Sequence, residues 1–316
     1  MPPFRKIVAA AVLLAGLSTA APAQDTLKIA IGQRGGWEQC VSELGQNAGI
    51  FKKHGLVLDV LYTQGSGETL QSIISASVDI GIGTGTHAVF GAYAKGAPVR
   101  AIGSSFTSAD DQFYYVAADS PLRDMKEADG RSIATSTTGS ASHMFALALA
   151  RHFGITLRPQ PTGNYASALT QTLTRQVDIG FAAAPFNLNA VEEGKIRIIA
   201  MGRDVPALRD MTSRLIIVNT RILAEKKDAI TRYMQAVLET HDWLYSDPAA
   251  IKAYAAWSGL PERIAKRAPE FMTKPNLDPR RFAGLDTIMA DAVAFKYIPA
   301  PLTDAQVKEV LLIPWK

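Results

Sequence analysis

Short runs of apolar and β-branched residues alternate along the chain with stretches whose apolar positions recur near helical spacing. The stretches at 68–77 and 166–175 predict helices. The runs predict strands over 27–31, 57–62, 78–82 and 99–103, and again over 132–135, 157–161, 177–182 and 196–201. This order is typical of right-handed crossovers onto a mostly parallel sheet that helices cover.

The two sets of predicted strands are copies of one pattern. The dipeptide Ile-Ala at 29–30 recurs at 133–134, and the tetrapeptide Val-Asp-Ile-Gly at 78–81 recurs at 177–180. The order of the shared segments is kept while their spacing drifts by only a few residues, as a duplicated supersecondary unit would give. The sequence therefore predicts two similar α/β lobes.

Two further β-rich runs, 113–116 and 214–219, follow the first and second units. We interpret them as two strand-like crossings that join the lobes and form a hinge. The expected division is 24–105 with 220–316 for the first lobe, 113–219 for the second lobe, and a hinge near 106–116 and 214–220.

The last part of the chain predicts helices that pack back onto the first lobe. Residues 226–245 carry apolar side chains near helical spacing. A capping residue precedes a helix start at Asp247-Pro248, at Asp278-Pro279 and at Thr303, where Gln306 completes a capping box.

Residues 1–23 have the features of a secretory signal peptide, because two basic residues precede an apolar run at 7–17 and small residues follow it. The apolar run is about eleven residues long, shorter than the roughly twenty that span a bilayer. We expect cleavage near Ala23 and release into the periplasm. Gln24 is not a cysteine, so the mature chain has no acceptor for an N-terminal lipid.

Composition excludes several classes of protein. Of 316 residues 47% are hydrophobic and 20% charged, which excludes a disordered polar chain. The formal net charge is only +4 and no basic block is present, so we expect no nucleic acid partner. The single cysteine, Cys40, forbids an intramolecular disulfide and is expected to be a buried, inert thiol in an amphipathic helix.

Catalytic and cofactor motifs fail when their residues are checked. The glycines at 91–96 have Walker spacing but continue into Ala97-Pro98, and Thr86 stands where a dinucleotide-binding motif needs its third glycine. No G-x-S-x-G and no H-E-x-x-H occurs. We therefore assign no catalytic residue, no metal site and no cofactor.

Loops of Gly, Ser and Thr recur between a predicted strand and the helix after it, at 35–37, 65–67, 84–86 and 138–142. Such loops lie at the carboxyl ends of strands, where ligands of open α/β sheets bind. Backbone N–H groups at helix starts hold anionic groups without any arginine. Plain helix capping is the alternative for each loop alone. Because both lobes carry the same type of loop, we favour a binding site between them.

Other residues would complete such a pocket. We expect Trp37 to be an exposed loop aromatic that roofs the cleft between the lobes, and Phe113 or Tyr114 to lie on the crossing. Asp110, Asp111 and Gln112 at the hinge either hold a donor group of the ligand or form a solvated acidic turn. The candidate ligand-binding residues are Arg34, Gly36, Trp37, Ser66, Gly67, Thr84, Thr86, Asp111, Thr138, Ser140, His143, Phe186 and Asn187.

Four segments, 47–56, 78–81, 129–134 and 194–197, occur in an order that resembles the type II periplasmic solute-binding proteins of ABC importers. The similarity is to the nitrate/sulfonate/taurine and pyrimidine-precursor (SsuA/NMT1-like) group and covers the whole mature chain. It implies two lobes that close around one small ligand and deliver it to the membrane subunits of a permease. Its ligand-binding positions would fall on Trp37, Ser66, Gly67, Thr84, Thr86, Thr138, Ser140 and Phe186.

We expect a monomeric receptor for a small organic anion, a sulfonate or carboxylate that is aliphatic or aromatic. Arg34 is the one basic residue near the predicted loops. A receptor for a neutral heterocycle such as a pyrimidine precursor stays open, and so does an exported enzyme of the same fold. The pyrimidine-synthesising enzymes that resemble this fold carry a cysteine-rich motif, which one cysteine cannot supply.

Overall fold

The computed structural model describes residues 24–313 and 315. The predicted signal peptide at 1–23 lies outside the described residues. Within the described part of the chain, no helix combines the length and the apolar character that crossing a bilayer requires.

Ten strands form in the described residues. They are β1 (Asp25–Ile31), β2 (Leu56–Tyr62), β3 (Ile80–Gly85), β4 (Val99–Thr107), β5 (Gln112–Ala117), β6 (Ser132–Thr135), β7 (Arg158–Pro161), β8 (Gly180–Ala183), β9 (Ile196–Met201) and β10 (Thr212–Asn219). The predicted strands at 132–135 and 196–201 coincide with β6 and β9, whereas β3 and β8 begin later than predicted.

The helices are α1 (Val41–Asn47), α2 (Ile50–Lys53), α3 (Ser66–Ile74), α4 (Thr86–Ala94), α5 (Ala141–Phe153), α6 (Tyr165–Leu173), α7 (Leu188–Glu192), α8 (Thr220–Glu225), α9 (Lys227–Ser246), α10 (Pro248–Ser258), α11 (Glu262–Ala265), α12 (Ala268–Phe271), α13 (Leu285–Ala294) and α14 (Asp304–Val310). The predicted caps at Asp247 and Thr303 are confirmed. The predicted helix start at Asp278 is wrong, because the Asp278 carboxylate instead accepts from the backbone and guanidinium of Arg280 and closes a turn.

The strands form a five-stranded sheet in the first lobe and, in the second lobe, a two-stranded and a three-stranded sheet that together repeat its order. The first sheet runs β2-β1-β3-β10-β4, with β10 antiparallel to its neighbours. In the second lobe, β7 and β6 are parallel, a bridge between Ile133 and Ile179 joins β6 to the start of β8, and β5 lies antiparallel between β8 and β9. Helices flank both sheets, so the predicted two-lobe α/β fold is confirmed.

Each unit exchanges one strand with the other. β5 follows the first unit but pairs within the second sheet, and β10 follows the second unit but pairs within the first. Both strands are buried along their whole length and are paired with a strand on each side. They are therefore central strands of the sheets and not free connections between the lobes. The chain therefore passes between the lobes at 108–111 and 202–211. The sequence-based division, which places 212–219 in the second lobe and the return near 214–220, differs from the structure here because β10 pairs in the sheet of the first lobe.

The repeated Val-Asp-Ile-Gly segment holds each sheet together. Asp79 accepts the backbone N–H of Lys28 at 2.8 Å, and Asp178 accepts that of Ser132 at 2.8 Å. Because these carboxylates take the place of ladder carbonyls, β3 and β8 begin only after them. The last residue of the first copy is Gly81. A Cβ at this position would lie 2.9 Å from the side chains of Thr69 and Ile73 in α3, so only glycine fits there.

Candidate functional site

The two lobes contact each other directly across the cleft. The backbone N–H of Gly67 donates to Thr137 Oγ1 at 3.1 Å. The Gln33 amide donates to Ser136 Oγ at 3.2 Å and to the Gly163 carbonyl at 3.0 Å. These bonds join the first lobe to the second, so the structure is a closed form.

Glycines allow this close approach. A Cβ on Gly85 would press against the Gly139 carbonyl oxygen and lie 2.9 Å from Ser140 Cα. A Cβ on Gly35 would lie 2.7 Å from the Phe186 ring. The glycines of the predicted loops therefore let the two lobes meet.

A cavity lies between the loops. Its empty volume is about 320 Å³, which includes space open to solvent. Both lobes and the exchanged strands β5 and β10 contribute to its wall. The lining residues are Gln33, Gln39, Ser66, Gly83, Gln112, Ser136, Ser140, Ala141, Ser142, Tyr165, Phe181 and Arg214.

Helix starts from both lobes face this cavity. Ser66 is the first residue of α3, and its hydroxyl accepts the Gly85 N–H at 2.9 Å. Ser140 caps α5 by accepting the His143 N–H at 3.3 Å, and its hydroxyl lies 2.9 Å from that of Ser142. Positive helix ends and hydroxyl donors converge there, which suits an anionic group.

A buried cluster of charges lies beside the cavity. The Arg214 guanidinium donates to the Glu38 carboxylate at 2.8 Å and to Asp111 Oδ2 at 2.6 Å. Burial raises the pKa of Glu38 to about 7 although Arg214 opposes the shift, and burial also raises the pKa of Asp111. Burial would lower the pKa of Arg214, but the two carboxylates outweigh it and keep the guanidinium charged.

Arg214 was missed in the sequence, where only Arg34 was considered. Arg34 is exposed, lies over the Tyr62 ring at 5.3 Å and does not line the cavity. Arg214 is the third residue of the buried strand β10, and the four residues after it, 215–218, are apolar. Since buried arginines need partners, a lone arginine in such a run was the available signal.

Ser66 and Ser140 are the predicted residues that line the cavity directly. Gly36, Thr84 and Thr86 of the first lobe are buried but do not line the cavity. Gly36 lies against the Gln39 side chain, Thr84 has no partner for its hydroxyl among the described residues, and the Thr86 hydroxyl donates to the Thr212 carbonyl at 2.7 Å. Thr86 therefore has a hydrogen bond within its own lobe.

Phe186 and Asn187 of the second lobe do not line the cavity but contact residues next to it. Phe186 packs on Tyr165, with ring centroids 5.3 Å apart. The buried Asn187 amide donates to the Tyr115 hydroxyl at 3.4 Å. The two residues therefore position Tyr165 and β5 against the cavity.

Thr138 and His143 lie outside the cavity. Thr138 is exposed, and both residues line a separate groove on the outer side of the contact between the lobes. The His143 Nδ1 atom forms a hydrogen bond with the Tyr297 hydroxyl of the first lobe. Burial lowers the pKa of His143.

The expectation that Trp37 is exposed is wrong. The side chain is fully buried, its indole N–H donates to the Tyr245 hydroxyl at 2.9 Å, and its ring packs edge-on against Tyr254 at 4.8 Å. Both tyrosines belong to the C-terminal helices α9 and α10. Trp37 therefore attaches those helices to the first lobe. Phe113 and Tyr114 are likewise fully buried, in β5.

Replacing Trp37 by phenylalanine is expected to destabilise the fold by about 1 kcal/mol, because the hydrogen bond to Tyr245 is lost. Ligand affinity should not change. Urea unfolding and calorimetry on the variant measure the two quantities. Weaker ligand binding with unchanged stability would contradict the assignment of Trp37 to the core.

Two of the three glutamines of the cavity, Gln33 and Gln39, were also missed in the sequence, whereas Gln112 is among the hinge residues considered there for contact with the ligand. Gln33 Oε1, Gln39 Oε1 and Gln112 Nε2 are buried without a partner among the described residues, and all three side chains line the cavity. Buried polar atoms are normally hydrogen-bonded, so these atoms are available to form hydrogen bonds with a ligand in the cavity. Within the described residues, no cluster of three or more His, Cys, Asp or Glu is arranged to hold a metal ion.

The NMT1/THI5-like family model matches residues 44–251, and the chain belongs to that family. No curated protein matches the chain.

Solved structures share its fold. One is the alkanesulfonate-binding protein SsuA from Xanthomonas axonopodis pv. citri bound to MOPS, with a TM-score of 0.77, 19% identity and coverage of 93% of this chain and 99% of that one. For the aliphatic sulphonate binding protein SsuA from Escherichia coli, the TM-score is 0.68 and the identity 18%, with coverage of 90% of this chain and 92% of that one. For the nitrate-binding protein NrtA from Synechocystis PCC 6803, the TM-score is 0.67 and the identity 14%, with coverage of 91% of this chain and 86% of that one. The chain thus has the periplasmic-binding-protein fold.

Proposed function

We propose that this chain is the solute-binding component of an ABC importer, which captures one small ligand in the cleft and delivers it to the membrane subunits of a permease. The observation that carries the proposal is the cavity whose wall comes from both lobes. Family membership and the fold of named binding proteins support it. In this proposal the chain is exported after loss of 1–23, acts as a monomer and catalyses no reaction.

The proposed ligand is a small organic anion such as a sulfonate or carboxylate. Its anionic group would lie between Ser66 at the start of α3 and Ser140 to Ser142 at the start of α5, where both helix ends are positive. The sulfonate- and nitrate-binding proteins of the same fold are named for small anions. The cavity is narrow, so the ligand is small or the lobes stand further apart around it.

A neutral heterocycle such as a pyrimidine precursor is the second candidate. Among the unpartnered amide atoms, the oxygens of Gln33 and Gln39 accept hydrogen bonds and the nitrogen of Gln112 donates them. The edge of such a ring carries both N–H donors and carbonyl acceptors, which these atoms can pair with. Tyr165 and Phe181 supply apolar faces. An exported enzyme of the same fold is less well supported, since we assign no catalytic residue.

A thermal-shift screen of residues 24–316 with sulfonates, carboxylates and heterocycles tests the function. A ligand at a hundred times its Kd should add about 2.7 kcal/mol of stability. We expect one of these chemical classes to raise Tm. A screen in which no compound of any class raises Tm would contradict a solute-binding function.

Replacing Ser140 by alanine should weaken binding of an anion roughly tenfold, because a hydrogen bond to a charged group contributes about 1.5 to 3 kcal/mol. Thr138→Ala in the same loop is the matched control, since Thr138 is exposed outside the cavity. Calorimetry measures both. Equal loss in the two variants would place the ligand elsewhere.

A further inference from the structure

The Glu38–Arg214–Asp111 cluster holds one base between two acids. With both carboxylates ionised it carries one negative charge more than Arg214 neutralises. Arg214 is 5% exposed, Glu38 4% and Asp111 0%, so solvent screens little of this charge. An uncompensated negative charge beside a small cavity repels an anionic ligand.

Glu38 acts on the cavity through two neighbours. Arg214 and Gln39 both line the cavity, and both donate to the Glu38 carboxylate, Gln39 at 3.3 Å. A single side chain, that of Arg214 or Gln39, therefore separates the Glu38 carboxylate from a ligand in the cavity.

No other group near Glu38 supplies a compensating charge among the described residues. From α9, His241 and Tyr233 line a small internal cavity together with Glu38, and Tyr165 of α6 lies on the side of the second lobe. Burial lowers the pKa of His241 to about 4 and raises the pKa of both phenols, so all three side chains are uncharged near neutral pH. Asp110, next to Asp111 in the chain, is an acid and supplies no positive charge.

We propose that Glu38 determines which ligand charge the cleft accepts: an anion binds only together with one proton, taken from solvent onto the Glu38 carboxylate, whereas a neutral ligand binds without it. The inference rests on the proposed function. The bound complex then holds the anion, a carboxylic acid at Glu38, and Arg214 paired with Asp111. No covalent bond to the ligand forms, and the net charge of the site stays at minus one, the value that the ionised cluster has without the anion.

The expected pH dependence has a definite sign. Burial raises the pKa of Glu38 to about 7, so below that pH the proton is already present and anion affinity is constant. Above it, each bound anion must bring a proton, and Kd rises by up to tenfold per pH unit. A neutral ligand shows no such rise.

Calorimetry at pH 6 and pH 8 tests the proposal with two anions, ethanesulfonate and benzoate, and their neutral counterparts, ethanesulfonamide and benzamide. In the wild type the anions should bind about tenfold more weakly at pH 8. In Glu38→Gln their Kd should be equal at the two pH values, and Asp111→Asn should behave in the same way. Asp110→Asn is the matched control, because among the described residues Arg214 forms its ion pairs with Glu38 and Asp111 and not with Asp110, and this variant should keep the wild-type dependence.

Anion binding that is equal at pH 6 and pH 8 in the wild type would overturn the proposal and leave the solute-binding function intact. So would a dependence that persists in both Glu38→Gln and Asp111→Asn. Binding of the neutral probes alone would overturn it and favour the heterocycle as ligand. If none of the four probes binds at either pH, anion capture is refuted, and a blank thermal-shift screen would then refute the function as well.

Discussion

Replacing Arg214 by methionine is expected to destabilise the protein by about 3 to 5 kcal/mol at pH 8, the largest stability effect in this account. Glu38 and Asp111 would remain buried without their shared base, and an uncompensated buried charge is strongly destabilising. Urea unfolding of the variant measures the loss. Arg34→Met, which removes an exposed guanidinium, should change stability by less than about 0.5 kcal/mol.

The loss in Arg214→Met should shrink as the pH falls. Burial already raises the pKa of Glu38 and Asp111, and removal of Arg214 takes away the group that opposes this shift. An acid whose folded pKa is raised favours the folded state when protonated, so stability falls as the pH rises from the unfolded pKa through the folded one. The variant should therefore approach the wild type near pH 5. An equal loss at pH 5 and pH 8 would contradict a cluster held by charge.

Replacing Gly85 by alanine should weaken ligand binding by at least tenfold while leaving Tm of the ligand-free protein unchanged. Gly85 has φ of −60° and ψ of 131°, which alanine adopts without strain. The three atoms nearest to the added Cβ all belong to the second lobe, at the Gly139 carbonyl, Ser140 and Ala141. Closure then becomes unfavourable, whereas the separated lobes are unaffected.

Calorimetry and solution scattering test this variant together. We expect the wild type to become more compact with saturating ligand and Gly85→Ala to remain expanded. Full affinity in the variant would show that binding does not require these loops to meet.

The arrangement of strands and helices within each unit was predictable because it depends on local patterns. The alternation of apolar runs and the repeated Val-Asp-Ile-Gly segment gave the two lobes and most strand positions. The exchange of β5 and β10 was not predictable in the same way. Each run satisfies the pattern of any buried strand, and which sheet it enters depends on pairing with strands distant in sequence.

The candidate site divides in a similar way. The strand-to-helix loops of both lobes were located from their Gly, Ser and Thr content, and Ser66 and Ser140 do line the cavity. Trp37 was misplaced because its partners lie more than two hundred residues later in the chain. Arg214 was missed because its strand was interpreted as a crossing, and a crossing has no fixed relation to the cleft.

The most direct test of the central claim is a crystal structure of residues 24–316 with the tightest ligand from the thermal-shift screen. We predict electron density for one ligand between the lobes, in contact with Ser140 from the second lobe and Arg214 from the first. A ligand that touches one lobe only, or that lies on the outer surface with the cavity unchanged, would contradict the account.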